Sequence, residues 1–420
     1  MSDRRRSLGR ALGLGLITGA ADDDPSAIGT YAAAGAALGP GFLWTAPVTF
    51  PMMVAVVYLS SKLGQVCGKG LFDVIRDRYP RWVLRSALIG VIIGNTIEAA
   101  ADIGGIAAAV GVLAPRIALP LIVVPTTVAI LTLQVWGSYV LIRQIFRWLA
   151  LSLLAYVGAA LMSSPDWSEV LRGTFIPTIQ FDQRFLSLLV AVIGTTLSAY
   201  LYTWQSNEEV EEEIAMGRQD LDQRRGATQE ELRQSRWDIT NGMLFSNIIM
   251  YFIILSTAST LHKAGHTDVS TAAEAAEALK PFAGDAAGVL FAIGVIAVGF
   301  LAVPIMTTGA AYDVCQAFGW KHGLHARPSE AKRFYLLIAG FTAVAMSMNF
   351  LGVNPMKALV VAGIVQGFST PPLMLLIMRM TSDRSLMGDA VNGRAVTVLG
   401  WATTVAIFGA TAGLVCTWFF

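Results

Sequence analysis

The chain has 420 residues, of which 55% are hydrophobic and only 14% are charged, and its net charge is +1. Because a water-soluble domain carries about a quarter charged residues, this composition excludes an ordinary soluble protein. The near-zero net charge also argues against a nucleic-acid partner. Three cysteines without paired spacing argue against a disulfide framework and a thiolate metal cluster.

Apolar stretches long enough to cross a bilayer, which takes about 20 residues per helix, recur along the whole chain. Eleven of them are predicted, at 11–38, 41–61, 84–111, 117–136, 138–162, 185–205, 239–261, 287–312, 333–351, 356–379 and 396–419. Lipid admits only helices or closed barrels, and these runs are too long for barrel strands. The sequence therefore predicts an all-α polytopic membrane protein, with residues 1–420 forming a single transmembrane domain.

The first stretch is interrupted by Asp22, Asp23, Asp24 and Pro25. Each aspartate costs about 2.5–3.5 kcal/mol at a helix centre in lipid, so these carboxylates are expected to face a cavity, a partner or an ion. Pro25 opposes helix at Asp24, and the resulting break would leave backbone carbonyls beside the carboxylates, which makes a site for a hard cation. The alternative is a helix that begins at Ser26, with the aspartates as solvated caps. A cleaved signal peptide is a further, less favoured interpretation of the basic N-terminus.

The third stretch carries Asn95, Glu98 and Asp102, whose spacings of three and four place them on one helical face. Two carboxylates on one face inside the membrane favour an ion path. An internal hydrogen-bond network remains the alternative.

The sixth stretch contains Gly194-Thr195-Thr196-Leu197-Ser198, a run of small and hydroxylic residues that favours local unwinding. Two interrupted helices, five apart, predict a five-plus-five inverted repeat with a binding site at the bilayer midplane. The repeats are predicted at about 11–162 and 185–379, with an extra helix at 396–419. The glutamates at 208–213 that follow the sixth stretch are predicted to be a solvated helix end.

Basic residues concentrate in alternate connecting segments, which by the positive-inside rule places the N-terminus in the cytoplasm and the C-terminus outside, in the plasma membrane. The four histidines, His262, His266, His322 and His325, all fall in predicted loops. We therefore expect no histidine proton relay through the membrane core.

Three segments resemble one family. Gly15–Ser26 resembles the first-helix signature of NRAMP metal-ion transporters, Gly194–Gln205 their sixth-helix signature, and Asn354–Leu359 the start of their tenth helix. The resemblance covers nearly the whole chain. It implies the LeuT-type fold, with two inverted five-helix repeats and an eleventh transmembrane helix.

Departures from the family pattern resemble its magnesium-transporter branch. The resemblance implies that Asp24 is a metal ligand, that Thr195 offers a backbone carbonyl, and that Glu98 is the additional acidic residue of that branch. Ala27 falls where the family has an asparagine ligand, and Ser198 where it has a methionine. Supporting or pathway roles are expected for Asp22, Asp23, Asp102, Asn95 and Gln366. Gln366 is close to Gly363, which falls at the position of a family glutamine.

The loss of the thioether removes a soft ligand that favours transition metals, and small residues at 27 and 198 would leave room for a partly hydrated Mg²⁺. The first hypothesis is therefore uncoupled uptake of Mg²⁺ and Mn²⁺, driven by the ion gradient and by about 4.6 kcal/mol for a divalent ion across 100 mV.

Three alternatives stay open: a proton-coupled Mn²⁺/Fe²⁺ importer, a transporter of cationic amines or amino acids, and an intramembrane aspartyl hydrolase that uses Asp24 and Asp102. The hydrolase lacks the expected motifs, so the chain is predicted to be a transporter and not an enzyme. The expected partners are the transported ion and the bilayer, without an obligate protein partner or a resident cofactor.

Overall fold

The computed structural model of the protein describes residues 14–136 and 151–419, and within these ranges every regular element is a helix. The α-helices are α1 Leu14–Asp22, α2 Pro25–Leu38, α3 Thr45–Cys67, α4 Leu71–Arg78, α5 Arg81–Leu113, α6 Leu119–Trp136, α7 Ala155–Met162, α8 Trp167–Phe175, α9 Gln183–Thr196, α10 Ala199–Ala215, α11 Leu221–Arg224, α12 Gln229–Thr257, α13 Ala272–Glu277, α14 Lys280–Ala283, α15 Ala287–Phe318, α16 Lys332–Met348, α17 Pro355–Thr381, α18 Arg384–Met387 and α19 Arg394–Cys416. Short 3₁₀ segments and one π-helical turn, Ala258–His262, join some of them.

Seven helical segments in the described part of the chain are long and apolar enough to cross a membrane. They are Thr45–Cys67, Arg81–Leu113, Gln183–Ala215, Gln229–His262, Lys280–Phe318, Pro355–Thr381 and Arg394–Cys416. Three other predicted stretches are not continuous helices of this length. The first is divided into α1 and α2. The apolar helix Leu119–Val135 and the 17-residue helix α16 are both shorter than the seven segments above. Much of the predicted stretch 138–162 lies outside the described residues.

Both predicted helix breaks are present. The first helix ends at Asp22 and resumes at Pro25, with Asp24 in an extended conformation at φ −63° and ψ 171°. The sixth ends at Thr196 and resumes at Ala199, with Ser198 at φ −58° and ψ 139°. Because proline has no backbone donor and disfavours helix at the preceding residue, it explains the first break.

Backbones approach closely where the broken helices meet their neighbours. A Cβ atom on Gly194 of α9 would collide with the backbone of Gly363 and Gly367 in α17, and one on Gly19 of α1 would collide with Gly242 in α12. Glycine at these positions lets α9 and α1 lie directly against the helices that hold them. The two breaks thereby come together beside α5, which packs against α15 and α17.

Two predictions near helix ends are wrong. His262 is not in a loop: the π-helical turn continues α12 to residue 262, and Nδ1 of His262 lies 2.8 Å from the Ala36 carbonyl oxygen. The glutamate run is not a solvated end, because α10 continues to Ala215 and Glu208, Glu209 and Glu213 are buried. Glu209 accepts hydrogen bonds from Ser61 at 2.7 Å and Gln205 at 2.9 Å.

Candidate metal-ion site at the helix breaks

Asp24 caps the second half of the broken helix. One carboxylate oxygen, Oδ1, accepts from the Ala27 backbone amide at 2.7 Å and from the Ser26 hydroxyl at 2.7 Å, and Oδ2 accepts from the Tyr200 hydroxyl at 3.1 Å. Asp24 is therefore a helix cap that is fully buried inside the bundle. The alternative of solvated caps before a helix that begins at Ser26 is wrong, because a helix precedes the break and all three aspartates are buried.

Ser26 lies at the centre of the site, although the sequence did not single it out. Its hydroxyl oxygen is 2.7 Å from Asp24 Oδ1, 3.2 Å from Glu98 Oε1 and 3.2 Å from Thr195 Oγ1. A hydroxyl has only one proton to donate, so Ser26 cannot satisfy both carboxylates at once. Two buried carboxylates gathered around one hydroxyl make a location where a dication would relieve repulsion.

The face of α5 that carries Asn95, Glu98 and Asp102 points into the site, as the sequence predicts. Glu98 accepts from Ser198 at 3.1 Å and from the Gln366 amide at 2.6 Å, and Gln366 also donates to Asn95 at 3.2 Å. Asp102 accepts from the Ser26 backbone amide at 2.9 Å, while its second oxygen, Oδ2, is buried without a partner. Glu98 and Asp102 therefore both contact the first helix break.

The second break brings Thr195 and Ser198 to the same place. The Ser198 hydroxyl contacts the carbonyl oxygens of Gly194 at 3.0 Å and Thr195 at 2.9 Å. Thr370 donates to the Leu197 carbonyl at 3.0 Å, and Tyr202 donates to the same oxygen. The carbonyls released by the break therefore face hydroxyl groups, and the single proton of Ser198 is shared among the two carbonyls and Glu98.

Asp22 and Asp23 face away from Ser26. Both accept from the Ser246 hydroxyl of α12, at 2.6 and 3.1 Å respectively, and each keeps one buried oxygen without a partner. The three consecutive aspartates therefore divide into two groups. Asp24 belongs to the site at the breaks, whereas Asp22 and Asp23 tie the first half-helix to α12.

Two positions, Ala27 and Gly363, depart from the family pattern. Ala27 has no side-chain donor, and its contribution is the amide that it donates to Asp24. The glutamine that reaches Glu98 is Gln366, whereas the carbonyl oxygen of Gly363 faces Gly194 of α9.

Tyr200 is a second site residue that sequence reasoning missed. Its hydroxyl donates to the Ala21 carbonyl at 2.8 Å and lies 3.1 Å from Asp24 Oδ2. Its place in the sixth-helix signature, directly after the break, was the available signal.

The oxygen atoms that meet here belong to carboxylate, hydroxyl and carbonyl groups, which hard divalent cations prefer as ligands. In the described part of the chain, no cluster of three or more histidine, cysteine, aspartate or glutamate side chains is arranged to hold a metal ion. Asp24, Ser26, Glu98, Thr195 and Ser198 are all completely buried. An ion can therefore reach Asp24 only when the surrounding helices move apart.

The chain is similar to known proteins over most of its length. Residues 15–417 match the family model described as natural resistance-associated macrophage protein-like (Nramp). A crystal structure of the Eremococcus coleocola manganese transporter, in complex with an aromatic bis-isothiourea substituted compound, is similar, with 19% identity, a TM-score of 0.71, and coverage of 97% of this chain and 85% of that one.

A second similar structure is Mhp1, a nucleobase-cation-symport-1 family transporter, in a closed conformation. It is 13% identical, with a TM-score of 0.56, and the match covers 97% of this chain and 92% of that one. At these identities the two structures establish the fold alone, which is the all-α, LeuT-type transporter fold.

The family match spans nearly the whole chain and includes both helix breaks. The protein is therefore a multi-pass membrane transporter and not an enzyme, which excludes the aspartyl hydrolase. The chain belongs to the Nramp-like family of metal-ion transporters.

Proposed function

We propose that the chain carries Mg²⁺, and also Mn²⁺, into the cell by an uncoupled mechanism through the site at the two helix breaks. The observation that carries the proposal is that the side chains of Ser26 and Tyr200, next to Asp24, offer hydroxyl oxygens and no sulfur, and that the Ser198 hydroxyl lies 3.1 Å from Glu98. Hard cations such as Mg²⁺ favour carboxylate, carbonyl and water ligands, whereas sulfur favours softer metals. The sulfur of Met250 contacts the hydroxyl of Thr196 and not the Asp24 carboxylate.

Asp24 would bind the ion directly, with Glu98 acting through water. Ser26, Ser198 and Gln366 hold these two carboxylates, while the Thr195 carbonyl is a further candidate ligand once Ser198 releases it. Because Mg²⁺ gives up its waters reluctantly, small residues at positions 27 and 198 suit an ion that keeps part of its hydration shell.

The membrane potential, negative inside, would drive entry through a plasma-membrane protein whose N-terminus is cytoplasmic and whose C-terminus is outside. A proton-coupled Mn²⁺/Fe²⁺ importer is the competing function. The observation that favours it is the partnerless Oδ2 of Asp102, a buried acidic oxygen next to the ion site.

Flux into proteoliposomes, with a manganese-sensitive dye and a pH dye inside, separates the two functions. We expect Mn²⁺ entry that Mg²⁺ inhibits and that leaves the internal pH unchanged. Asp24→Asn should lower the initial rate at least tenfold, about 1.4 kcal/mol. Asp389→Asn, at an exposed position, is the matched control and should transport normally.

Acidification that accompanies Mn²⁺ entry would contradict the uncoupled mechanism. Mn²⁺ entry that is insensitive to a large excess of Mg²⁺ would contradict the proposed substrate.

A further inference from the structure

Asp313, on α15, is a buried carboxylate that the site at the helix breaks does not use. Its exposure is 0%, and neither of its oxygens has a hydrogen bond of acceptable geometry. The adjoining hydroxyl is that of Thr203 on α10, but this hydroxyl donates to the Tyr200 carbonyl at 3.2 Å. Burying an unpaired carboxylate costs several kcal/mol, so its presence calls for a ligand.

Further polar groups follow toward the C-terminal ends of α10 and α15, along the interface between these two helices. Gln316, one turn after Asp313, donates to the side-chain oxygen of Asn207 at 2.6 Å, and Asn207 lies one turn after Thr203. The amide nitrogen of Asn207 is buried without a partner. The two helices thus face each other here with hydroxyl, carboxylate and amide groups.

These groups lie on a line that starts at the ion site. Tyr200 contacts Asp24, and Thr203 and Asn207 follow it on α10 by about 4.5 and 10.5 Å along the helix axis, at 1.5 Å per residue. The line ends at a cavity of about 580 Å³ whose walls include Asn207 and Gln316. Asp313 is therefore placed between the helix breaks and this cavity.

The cavity marks one end of the bundle, which we call the basic end after the four cationic side chains in its wall, Lys69, Arg76, Arg224 and Lys321. Three of them form ion pairs, Lys69 with Asp77 at 2.6 Å, Arg76 with Asp73 at 2.8 Å and Lys321 with Glu330 at 3.0 Å. Arg224 donates to the Gln219 carbonyl at 2.6 Å. The three ion pairs offset the positive charge that a departing cation would meet in the cavity.

We propose that Asp313 is a second binding residue for the divalent cation, which holds it between Asp24 and the cavity at the basic end. A single carboxylate with one adjoining hydroxyl suits a cation that keeps most of its water. The site would be weaker than that at Asp24, because only one charge faces it. The direction of travel rests on the proposed import function, whereas the binding itself does not.

Binding of Mn²⁺ to the full-length protein in detergent tests the site directly, since free Mn²⁺ has a strong electron paramagnetic resonance signal that binding removes. With Asp24→Asn in place, a weaker class of bound Mn²⁺ should remain, about one per chain. Asp24→Asn/Asp313→Asn should lose it, whereas Asp24→Asn/Asp389→Asn, the matched control, should keep it. Equal residual binding in all three proteins would overturn the proposal, whether or not any ion crosses a membrane.

Flux in proteoliposomes tests the role in transport. Asp313→Asn should lower the maximal rate of Mn²⁺ entry about tenfold and leave the dissociation constant of the Asp24 site within twofold, and Asp313→Glu should restore part of the rate. An unchanged rate for Asp313→Asn, or the loss of tight binding along with flux, would contradict a relay role. Absence of flux in the unmodified protein would contradict the proposed function and leave the binding result to decide on Asp313.

Discussion

The hydroxyl of Tyr200 lies 3.1 Å from Oδ2 of Asp24, and it also donates to the Ala21 carbonyl at 2.8 Å. One phenolic proton serves two acceptors, one on each side of the first helix break. The tyrosine therefore occupies a carboxylate oxygen that an ion at the proposed site would need.

Replacing Tyr200 by phenylalanine should tighten ion binding, because Asp24 Oδ2 is then free. We expect the dissociation constant for Mn²⁺ to fall three- to tenfold, about 0.6–1.4 kcal/mol, and the free energy of unfolding to fall by about 1 kcal/mol through the lost hydrogen bond. Isothermal titration calorimetry and thermal unfolding in detergent measure the two effects.

Tyr202→Phe is the matched control for this change, since Tyr202 donates to the Leu197 carbonyl and not to Asp24. It should leave the dissociation constant unchanged. Weaker binding in Tyr200→Phe would mean that the phenol is itself a ligand of the ion.

Methionine at position 198 should change the metal preference. The Ser198 hydroxyl lies 3.1 Å from Glu98 and is fully buried, so a thioether there would bring a soft ligand to the site. We expect the affinity for Cd²⁺ relative to Mg²⁺ to rise at least tenfold in competition assays.

Ser198→Leu adds similar bulk without sulfur and shares the overpacking cost of about 1–3 kcal/mol. It should therefore lose stability as Ser198→Met does, without a gain in Cd²⁺ affinity. If the two variants have the same metal preference, residue 198 does not face the ion.

A pH-dependent contact joins α10 to the loop before α16. His325 Nδ1 lies 2.9 Å from Glu211 Oε2, and this hydrogen bond raises the pKa of His325, against a smaller lowering by burial and by Arg224 and Lys321. Because the folded-state pKa is raised, the stabilisation is complete below the unfolded value of about 6.5 and is lost as pH rises through the folded value.

A double-mutant cycle with Glu211→Gln and His325→Gln measures this contact. We expect a coupling of up to about 1 kcal/mol at pH near 6, since the histidine is partly exposed, and none at pH near 9, in thermal unfolding of the detergent-solubilised protein. Tyr312 and the Leu324 amide also donate to Glu211 and remain in every variant. Coupling that is equal at both pH values would exclude the titration of His325.

Alanine at two glycines should have opposite effects on stability. A Cβ at Gly194 would meet the backbone of Gly363 and Gly367, which cannot rotate away, whereas one at Gly409 of α19 would meet nothing within 4 Å. Gly194→Ala should lower the free energy of unfolding by about 1–3 kcal/mol, and Gly409→Ala should raise it by about 0.5–1 kcal/mol. Equal melting temperatures would show that α9 and α17 can separate without cost.

Sequence reasoning found the charged residues of the site because each charge is costly in lipid. Asp24, Glu98 and Asp102 all lie where this cost predicts, at the helix breaks. Ser26 and Tyr200 were missed for the same reason, since a hydroxyl costs little in an apolar helix and gives no such signal.

The charge-cost argument alone could not separate Asp24 from Asp22 and Asp23, and only the family resemblance singled out Asp24. The directions of the three side chains depend on the backbone angles of the break and on Ser246, more than 220 residues away in the chain. The buried Glu209 was missed for a similar reason, since its partner Ser61 is on another helix. Contacts between residues far apart in the chain leave no pattern in the neighbouring sequence from which they could be predicted. The extension of α12 to His262 likewise depends on the packing of a single π-helical turn.

The division of the three aspartates has a mechanical consequence. Asp22 and Asp23 anchor the first half-helix to Ser246, while Asp24 is held by the amide of Ala27, which belongs to the second half. A hinge in the first helix would therefore lie between Asp22 and Asp23, which bind Ser246, and Asp24, which caps the second half-helix. If α1 swings away from α12, it breaks its contacts with Ser246, and Asp24 keeps its cap on the second half-helix.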